Sequence, residues 1–391
     1  MERILVSLDR RHTPVDQPSG HLMVYDLENQ KVERICEIME PPYREQNPNP
    51  RGGLRGLKGI SIHENRLALA NFSSIFFYDE KWNPINCIWH PSCAGIHDIA
   101  LLDDKIWVSG SRNDLLMCFD LDGKPLEFYD ARTFASLLNL SKWQPKPFLT
   151  NTQIKNGEID FRDPRTHDEV FSDSSHVNSL AIMQNGDLLV SCGLIKNLGH
   201  MRLLYIKNWL TRKGAWEKVL QLNKILRQNI FKKKMKNRHS GDLVVQPAKG
   251  FSAVLRITKD RVVHPCLLFN NATAPAHSVR ALADGTAIYL KTTSGEIVHF
   301  EPESGKVIST TVVGEKFLRG ARELPDGNLL LGDNNRIIHF NLQERKILSV
   351  VQISDDPVES VFDFCILPEH FSLPPESFVS HHAKYLPVTQ I

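Results

Sequence analysis

The sequence predicts an all-β protein, a closed six-bladed β-propeller with a helical basic insertion in its fourth blade. Three observations support this prediction. A pattern of four short apolar strands recurs along the chain at a spacing of about 40 residues, as propeller blades do. Asp-Gly and Asn-Gly pairs stand between several of these strands, where they favour tight hairpins. One copy of the pattern is divided between the two ends of the chain.

The clearest copy of the pattern runs from residue 97 to residue 129. Its four strands are predicted at residues 97–102, 105–110, 114–121 and 125–129. Further copies begin at residues 59, 178, 278 and 322, and the copy from residue 178 breaks after its second strand and resumes at residue 251. Strands of this length, rich in β-branched and aromatic residues, are typical of four-stranded meanders.

The sixth copy lacks its first strand where the chain begins. Residues 3–8, 21–27 and 31–38 match the second, third and fourth strands, and the missing first strand occurs at residues 360–367. We therefore expect the two ends of the chain to pair within one blade, which would remove the free sheet edges of an open array. A β-sandwich is the structural alternative, but it does not predict a divided blade.

The domain organisation expected from this pattern is one propeller domain over residues 1–371 and a C-terminal tail at residues 372–391. Residues 194–246 form the insertion in the fourth blade, with 13 Lys or Arg against two acidic residues, in a chain whose net charge is +2. Three- and four-residue spacing indicates a helix face within it. That face comprises Trp216, Val219, Leu220, Asn223, Leu226 and Ile230.

A basic amphipathic helix can attract an acidic or phosphate-bearing partner. Residues 200–240 are therefore a candidate partner site, and a solvated helix packed on the propeller flank is the alternative. Nucleic acid is not expected, because no aromatic platform accompanies the basic run at residues 232–238.

Composition and cysteine usage indicate a soluble, cytoplasmic protein. The 391 residues are 41% hydrophobic, and no run of about 18 apolar residues could span a membrane. The first residues lack the features of a signal peptide. The seven cysteines are scattered without a Cys-x-x-Cys pair, which disfavours a disulfide framework or a cysteine zinc site.

The first strand of each blade lines the channel of a propeller, so the residues where those strands begin form the candidate site. Aligning the six copies places one polar residue of each blade at the channel mouth. These residues are Lys58, His97, Asn178, His277, Arg319 and Glu359, and His176 lies two residues before Asn178. Because buried unpaired charges are costly, such a ring must be hydrated, mutually paired or filled by a ligand.

The three histidines suggest two kinds of chemistry. His97, His176 and His277 could hold a divalent metal ion, the one cofactor the sequence suggests, with an open coordination position. They could instead act as catalytic proton donors and acceptors near neutral pH. A water-filled polar channel without catalysis is the simplest alternative.

The charged mouth residues suggest the ligand. Arg319 and Lys58 favour a small anion such as a carboxylate, phosphate or sulfate, and Glu359 is a further candidate ligand-binding residue in the same ring. Two function classes follow. The first is a propeller that binds a small anionic ligand or a protein partner, and the second is an enzyme that uses the histidines on a small anionic substrate.

Several short motifs resemble an uncharacterised bacterial β-propeller family of conserved hypothetical proteins. They are Gly56-Leu-Lys-Gly-Ile-Ser, His97-Asp-Ile-Ala, His176-Val-Asn-Ser-Leu-Ala and Gly186-Asp-Leu-Leu-Val-Ser. The resemblance covers roughly residues 54–350 and implies the propeller fold without an activity.

The motif His176-Val-Asn178-Ser also resembles the His-x-Asn element of arylsulfotransferase propellers. That resemblance implies His176 as the catalytic nucleophile that carries the sulfuryl group, with Asn178 as a partner of the oxyanion. The chain departs from the pattern at residues 190–193, which read Val-Ser-Cys-Gly where Ser-Ser-Arg-His is expected. Arylsulfotransferases of this kind are also typically periplasmic, and this chain shows no export signal.

Overall fold

The chain folds as a six-bladed β-propeller, in agreement with the prediction. A computed structural model describes residues 2–10, 20–36, 57–134, 151–162, 173–196, 250–272, 275–315 and 317–376, with short pieces between residues 206 and 221. The strands in these ranges form six sheets of four strands each. Neighbouring strands within every sheet run antiparallel, and hydrophobic clusters fill the spaces between adjacent blades.

We number the blades along the chain. Blade 1 contains β24 (Glu359–Leu367), β1 (Arg3–Arg10), β2 (Gly20–Asp26) and β3 (Lys31–Cys36). Blade 2 contains β4 (Gly59–His63), β5 (Arg66–Ala70), β6 (Ile75–Tyr78) and β7 (Pro84–Ile88). Blade 3 contains β8 (Ile96–Leu102), β9 (Lys105–Gly110), β10 (Leu115–Asp120) and β11 (Pro125–Asp130).

The second half of the ring repeats this arrangement. Blade 4 contains β12 (Val177–Ile182), β13 (Leu188–Ile195), β14 (Gly250–Ile257) and β15 (Val263–Ala272). Blade 5 contains β16 (His277–Ala281), β17 (Ala287–Lys291), β18 (Glu296–Phe300) and β19 (Val307–Val312). Blade 6 contains β20 (Leu318–Glu323), β21 (Leu329–Asp333), β22 (Arg336–Asn341) and β23 (Lys346–Gln352).

The two ends of the chain close the ring, as the divided repeat predicts. Strand β1 pairs with β24 in antiparallel register, with Ile4 opposite Ile366 and Val6 opposite Phe364. Ile4 and Val6 are fully buried and pack in one cluster with Leu330 of blade 6. Since burying an aliphatic side chain of this size contributes about 1.5–3 kcal/mol, this cluster holds the first and last strands to the neighbouring blade.

Glycine turns separate the first and second strands where the sequence predicts them. Gly186 and Gly285 follow Asn185 and Asp284 and have φ angles of 82° and 85°. This left-handed region is strained for residues with a Cβ. In the second turn the Asp284 carboxylate accepts a hydrogen bond from the backbone N–H of Thr286, which fixes the reversal of the chain.

A β-bulge recurs near the start of the innermost strand in five of the six blades. In each case the pairing register with the next strand skips one residue. The bulged residues are His97, Asn178, Ser278, Gly320 and Phe362. Strand β4 pairs with β5 without such a shift. Because a bulge re-aims side chains and often lies beside a functional site, this repeated irregularity shapes the channel mouth.

The connections between blades hold little regular helix in the described residues. A short 3-10 turn covers Ala131–Thr133 and a helix, α1, covers Asn151–Lys155. Strand β13 runs to Ile195, which pairs with Phe251 in β14, and the predicted insertion lies between these two strands. Residues 209–211 and 216–219 within it are helical; the rest of the predicted helix face lies outside the described residues. No helix in the described part of the chain is long and apolar enough to cross a membrane.

Candidate functional site

Three imidazoles from neighbouring blades meet at the channel mouth. One ring nitrogen of each of His97, His176 and His277 lies within 4.8 Å of one from each of the others. The ring centroids of His97 and His176 are 5.2 Å apart, and those of His97 and His277 are 5.7 Å apart and stacked. The structure therefore brings together the three histidines that the sequence proposes as catalytic residues or metal ligands.

Arg319 reaches the same cluster from blade 6. Its Nη2 lies 3.1 Å from Nδ1 of His97, and its guanidinium carbon lies 3.4 Å from the ring centroid of Phe362. Lys58 places its Nζ 4.5 Å from the centroid of that same ring. A cation over an aromatic face is attracted by the ring quadrupole, so Phe362 serves as a platform for both predicted cations.

The surroundings of His97 define its protonation. A guanidinium has only donors, so Arg319 donates and Nδ1 of His97 accepts, which leaves the ring proton of neutral His97 on Nε2. Burial lowers the pKa of His97 well below its usual value, and the charges of Arg319, His176, His277 and Lys58 lower it further. His97 is therefore neutral at physiological pH.

His176 has the opposite hydrogen-bonding arrangement. Its Nδ1 lies 3.0 Å from a carboxylate oxygen of Asp173, and an ionised carboxylate can only accept. The Nδ1–H of His176 therefore donates to Asp173, and Nε2 carries the lone pair when the ring is neutral. Nζ of Lys196 is 3.5 Å from the other carboxylate oxygen of Asp173, so this carboxylate contacts both His176 and Lys196.

The loop that carries His176 is anchored by Asp114, a buried residue in the turn between β9 and β10. The carboxylate of Asp114 accepts from the backbone N–H groups of Ser174, Ser175 and His176 at 2.6, 2.8 and 2.8 Å. Burial, with the nearby charge of Asp173, raises the pKa of Asp114. His176 itself has a φ of 51°, a conformation that this set of hydrogen bonds stabilises.

His277 is the most enclosed of the three rings. Its Nδ1 lies 3.0 Å from Oγ1 of Thr292 in blade 5, and both residues are buried. The hydroxyl can donate or accept, so either tautomer of His277 is compatible with this contact.

The remaining predicted mouth residues are engaged within the propeller. Lys58 forms an ion pair of 2.6 Å with Asp9. Glu359 contacts His21 and Ser354 at 3.1 and 2.6 Å, and the hydrogen bond with His21 is the main reason that the pKa of Glu359 is lowered. These contacts of Glu359 lie within blade 1 and its connection to blade 6, at the junction of the chain ends.

Asn178, the other residue proposed as catalytic, is buried between blades 4 and 5. Its Nδ2 donates to the carbonyl of Ala276 at 2.6 Å, which commits one amide proton to the neighbouring blade. Gly193 lies directly against this amide, since a Cβ at that position would come within 2.4 Å of Nδ2. The chain thus has a glycine packed on Asn178 where the sulfotransferase pattern expects histidine.

A second polar layer lies one step below the mouth. Arg280 forms ion pairs with Asp98 at 2.6 Å and with Asp363 at 2.7 Å, and Ser179 donates to Asp98 at 2.8 Å. These residues come from blades 3, 4, 5 and 1. The repeat pattern alone does not predict this layer, although charged residues inside strands that line a channel are a signal that could have revealed it.

The hydrogen bond from Arg319 bears on whether a metal would fit. Binding through Nδ1 of His97 would displace Arg319 directly. Binding through Nε2 would move the ring proton to Nδ1, which then could no longer accept from Arg319. The three imidazoles could therefore hold a metal ion only if this hydrogen bond is broken.

Comparison with known proteins identifies the fold class. No family model matches the chain, and no curated protein matches it. Among solved structures, the chain is similar to one in a nidogen/laminin complex, with 9% identity, a TM-score of 0.52, and coverage of 93% of this chain and 98% of that one. It is also similar to a protein of unknown function from Bacteroides caccae, with 8% identity, a TM-score of 0.50, and coverage of 94% and 99%.

A weaker likeness is to an inactive virginiamycin B lyase from Staphylococcus aureus, with 10% identity, a TM-score of 0.45, and coverage of 82% of this chain and 75% of that one. At these identities, the two comparisons with TM-scores of 0.52 and 0.50 support the β-propeller architecture alone. The fold and the site together define a six-bladed β-propeller with histidine and arginine side chains at its channel mouth. The resemblance to arylsulfotransferases stays a prediction from the His176–Asn178 motif.

Proposed function

We propose that this protein binds a small anionic ligand at the channel mouth, between Arg319 and the three imidazoles. The observation that carries the proposal is the position of Arg319, stacked on Phe362 and donating to a His97 ring that stays neutral. Besides burial, the charge of Arg319 is the first of the electrostatic causes that lower the pKa of His97, and it adds a positive potential at the mouth. Such a potential favours a carboxylate, phosphate or sulfate group.

A thermal-unfolding panel tests the proposal. Wild-type protein is scanned with and without orthophosphate, sulfate and citrate, alongside Arg319→Met and the control Arg322→Met, whose arginine is exposed on the same strand. A ligand at one hundred times its Kd stabilises the native state by about 2.7 kcal/mol. We expect at least one anion to raise the Tm of the wild type and of the control, but not that of Arg319→Met. No shift with any anion, or an undiminished shift in Arg319→Met, would contradict the proposal.

The second candidate function is a metal-dependent or acid–base enzyme acting on a small anionic substrate. The observation that favours it is the approach of three imidazole nitrogens to within 4.8 Å of one another. Elemental analysis of purified protein and titration with Zn²⁺ test it, using a His97→Ala/His277→Ala double variant and a His299→Ala/His339→Ala control. Stoichiometric metal that only the first variant loses would support this candidate; metal-free protein that does not bind Zn²⁺ would remove its metal-dependent form.

The remaining predictions concern partners, location and domain organisation. Residues 200–240 are proposed to meet an acidic or phosphate-bearing partner, and residues 1–371 to form one domain with the tail outside it. The seven cysteines are unpaired, which fits the cytoplasmic location that the sequence predicts.

Binding to an anionic resin tests the proposed partner site at residues 200–240. The full chain is compared with a chain from which residues 200–240 are deleted, and equal retention of both chains would contradict the proposal.

A further inference from the structure

The histidines at the mouth are not equivalent as hydrogen-bonding groups. His97 accepts on Nδ1 from Arg319, so its Nε2–H is a donor. His176 donates from Nδ1 to Asp173, so its Nε2 is an acceptor when the ring is neutral. The two Nε2 atoms make no hydrogen bond with the part of the chain that the structure describes. Both rings stay partly accessible to solvent.

Separate neighbouring residues fix the hydrogen-bonding role of each ring. Arg319 is fixed on the face of Phe362, and both side chains are almost fully buried. The backbone of His176 is fixed by three hydrogen bonds to Asp114, and Asp173 is held by Lys196. Because the supports of the two rings are separate, a ligand that enters the mouth meets a preset donor and a preset acceptor.

We propose that the ligand of this site is an oxyanion that also carries a hydroxyl proton of its own, as hydrogen phosphate and hydroxycarboxylates do. The negative oxygens would accept from Arg319 and from Nε2–H of His97, and the ligand hydroxyl would donate to Nε2 of His176. The rings of His97 and His176 are 5.2 Å apart, so one small ligand can contact both. This inference rests on the proposed function and specifies the ligand class of the same site.

Comparing the affinity for hydrogen phosphate with the affinity for sulfate distinguishes this site from a pocket that offers positive charge alone. The two ions have the same shape and, at about pH 8, nearly the same charge, but only hydrogen phosphate carries a proton. Sulfate would place an oxygen lone pair against the lone pair on His176. A site built to accept a hydroxyl discriminates against the analogue that lacks it, because Nε2 of His176 is then left unpaired once the ligand displaces water from the mouth.

Isothermal titration at about pH 8, above the ordinary pKa of histidine, tests the inference with orthophosphate and sulfate as probes. For the wild type we expect phosphate to bind at least about tenfold more tightly than sulfate. Asp173→Asn should bring the ratio close to one, because the amide can donate to Nδ1 and reverse the tautomer of His176. The matched control is Asp122→Asn, at an exposed turn, which should keep the wild-type ratio.

The outcomes separate the two proposals. If both anions bind the wild type with equal affinity, or sulfate binds more tightly, the anion site stands and the hydroxyl preference is wrong. If neither orthophosphate nor sulfate binds, the inference fails, and the proposed function fails as well if citrate also leaves the Tm of the wild type unchanged. Long-range ¹H–¹⁵N spectra of the imidazoles give a second reading that needs no ligand: we expect His176 as the Nδ1–H tautomer, and an Nε2–H tautomer would overturn the inference.

Discussion

The guanidinium Nη2 of Arg319 lies 3.1 Å from Nδ1 of His97, across a sequence separation of 222 residues. Arg319 belongs to blade 6 and His97 to blade 3, and these blades face each other across a ring of six. Their hydrogen bond therefore spans the channel mouth. One layer below, Arg280 of blade 5 joins Asp98 of blade 3 to Asp363 of blade 1. A ligand at the mouth would thus rest above a channel crossed by an ion-paired network.

Phe362 is predicted to contribute to ligand affinity through Arg319. Phe362→Leu removes the aromatic face on which the guanidinium rests, and cation–π contacts contribute about 0.5–2 kcal/mol. We expect the affinity for orthophosphate, measured by isothermal titration, to fall about two- to thirtyfold. Phe340→Leu, at a buried position in the core of blade 6, is the control: it should lower the Tm without changing affinity. Unchanged affinity in Phe362→Leu would argue against the platform role.

Arg280 is predicted to be a major determinant of stability. Arg280→Met leaves the buried carboxylates of Asp98 and Asp363 without their cation, and breaking a buried ion network in this way costs about 3–5 kcal/mol. Urea unfolding should show this loss. The triple variant Asp98→Asn/Arg280→Met/Asp363→Asn should recover part of it, because the uncompensated charges are gone. A single variant that unfolds with the wild-type midpoint would contradict the assigned network.

Glu359 is predicted to contribute to the acid sensitivity of the junction between the chain ends. Its pKa is lower in the folded protein than its ordinary value, chiefly through the hydrogen bond with His21. The stabilisation from this carboxylate is therefore present above the ordinary pKa of glutamate and is lost as the pH falls through the lowered value.

The measurement for Glu359 is the unfolding free energy as a function of pH. Between about pH 5 and about pH 3, wild-type protein should lose more stability than Glu359→Gln. The variant Glu369→Gln, at an exposed position after β24, should follow the wild type. If the unfolding free energies of wild type and Glu359→Gln fall equally as the pH is lowered, the carboxylate of Glu359 does not contribute to acid sensitivity.

The insertion in blade 4 is predicted to be dispensable for the propeller. Ile195 at the end of β13 pairs with Phe251 in β14, so the strands that flank the insertion are already adjacent without it. Replacing residues 200–240 by a short Gly-Ser linker should preserve the β-sheet circular dichroism spectrum and a cooperative thermal transition. A variant that is unfolded would contradict the prediction that residues 200–240 belong to an insertion outside the propeller sheets.

The sequence predicted the blades better than it predicted the site. Strand β1 pairs with β24 as the divided repeat indicates, because apolar alternation and turn residues are local properties. At the mouth, the one-residue bulges shift the register, so His277 and Arg319 come one residue before the bulged position and Glu359 comes three residues before it. The directions of these side chains could not be predicted from the repeat alone.

The supporting residues of the site were not predictable in the same way. In the sequence, Phe362 is one apolar residue of a core strand. Its role as an aromatic platform depends on Arg319, which belongs to another blade. Asp173 and Asp114 lie in a loop and a turn, where the repeat imposes no pattern. Their contacts with His176 arise from the closure of the ring, which places residues distant in sequence beside one another.

The histidine resonances report directly where an anion binds. Orthophosphate is titrated into protein labelled with ¹⁵N at histidine, and the imidazole resonances are followed. We expect the signals of His97 and His176 to shift in step with saturation, while those of His299 and His339 on the third strands of blades 5 and 6 stay fixed. Saturable binding that leaves His97 and His176 unperturbed would place the anion elsewhere and contradict a ligand site at the channel mouth.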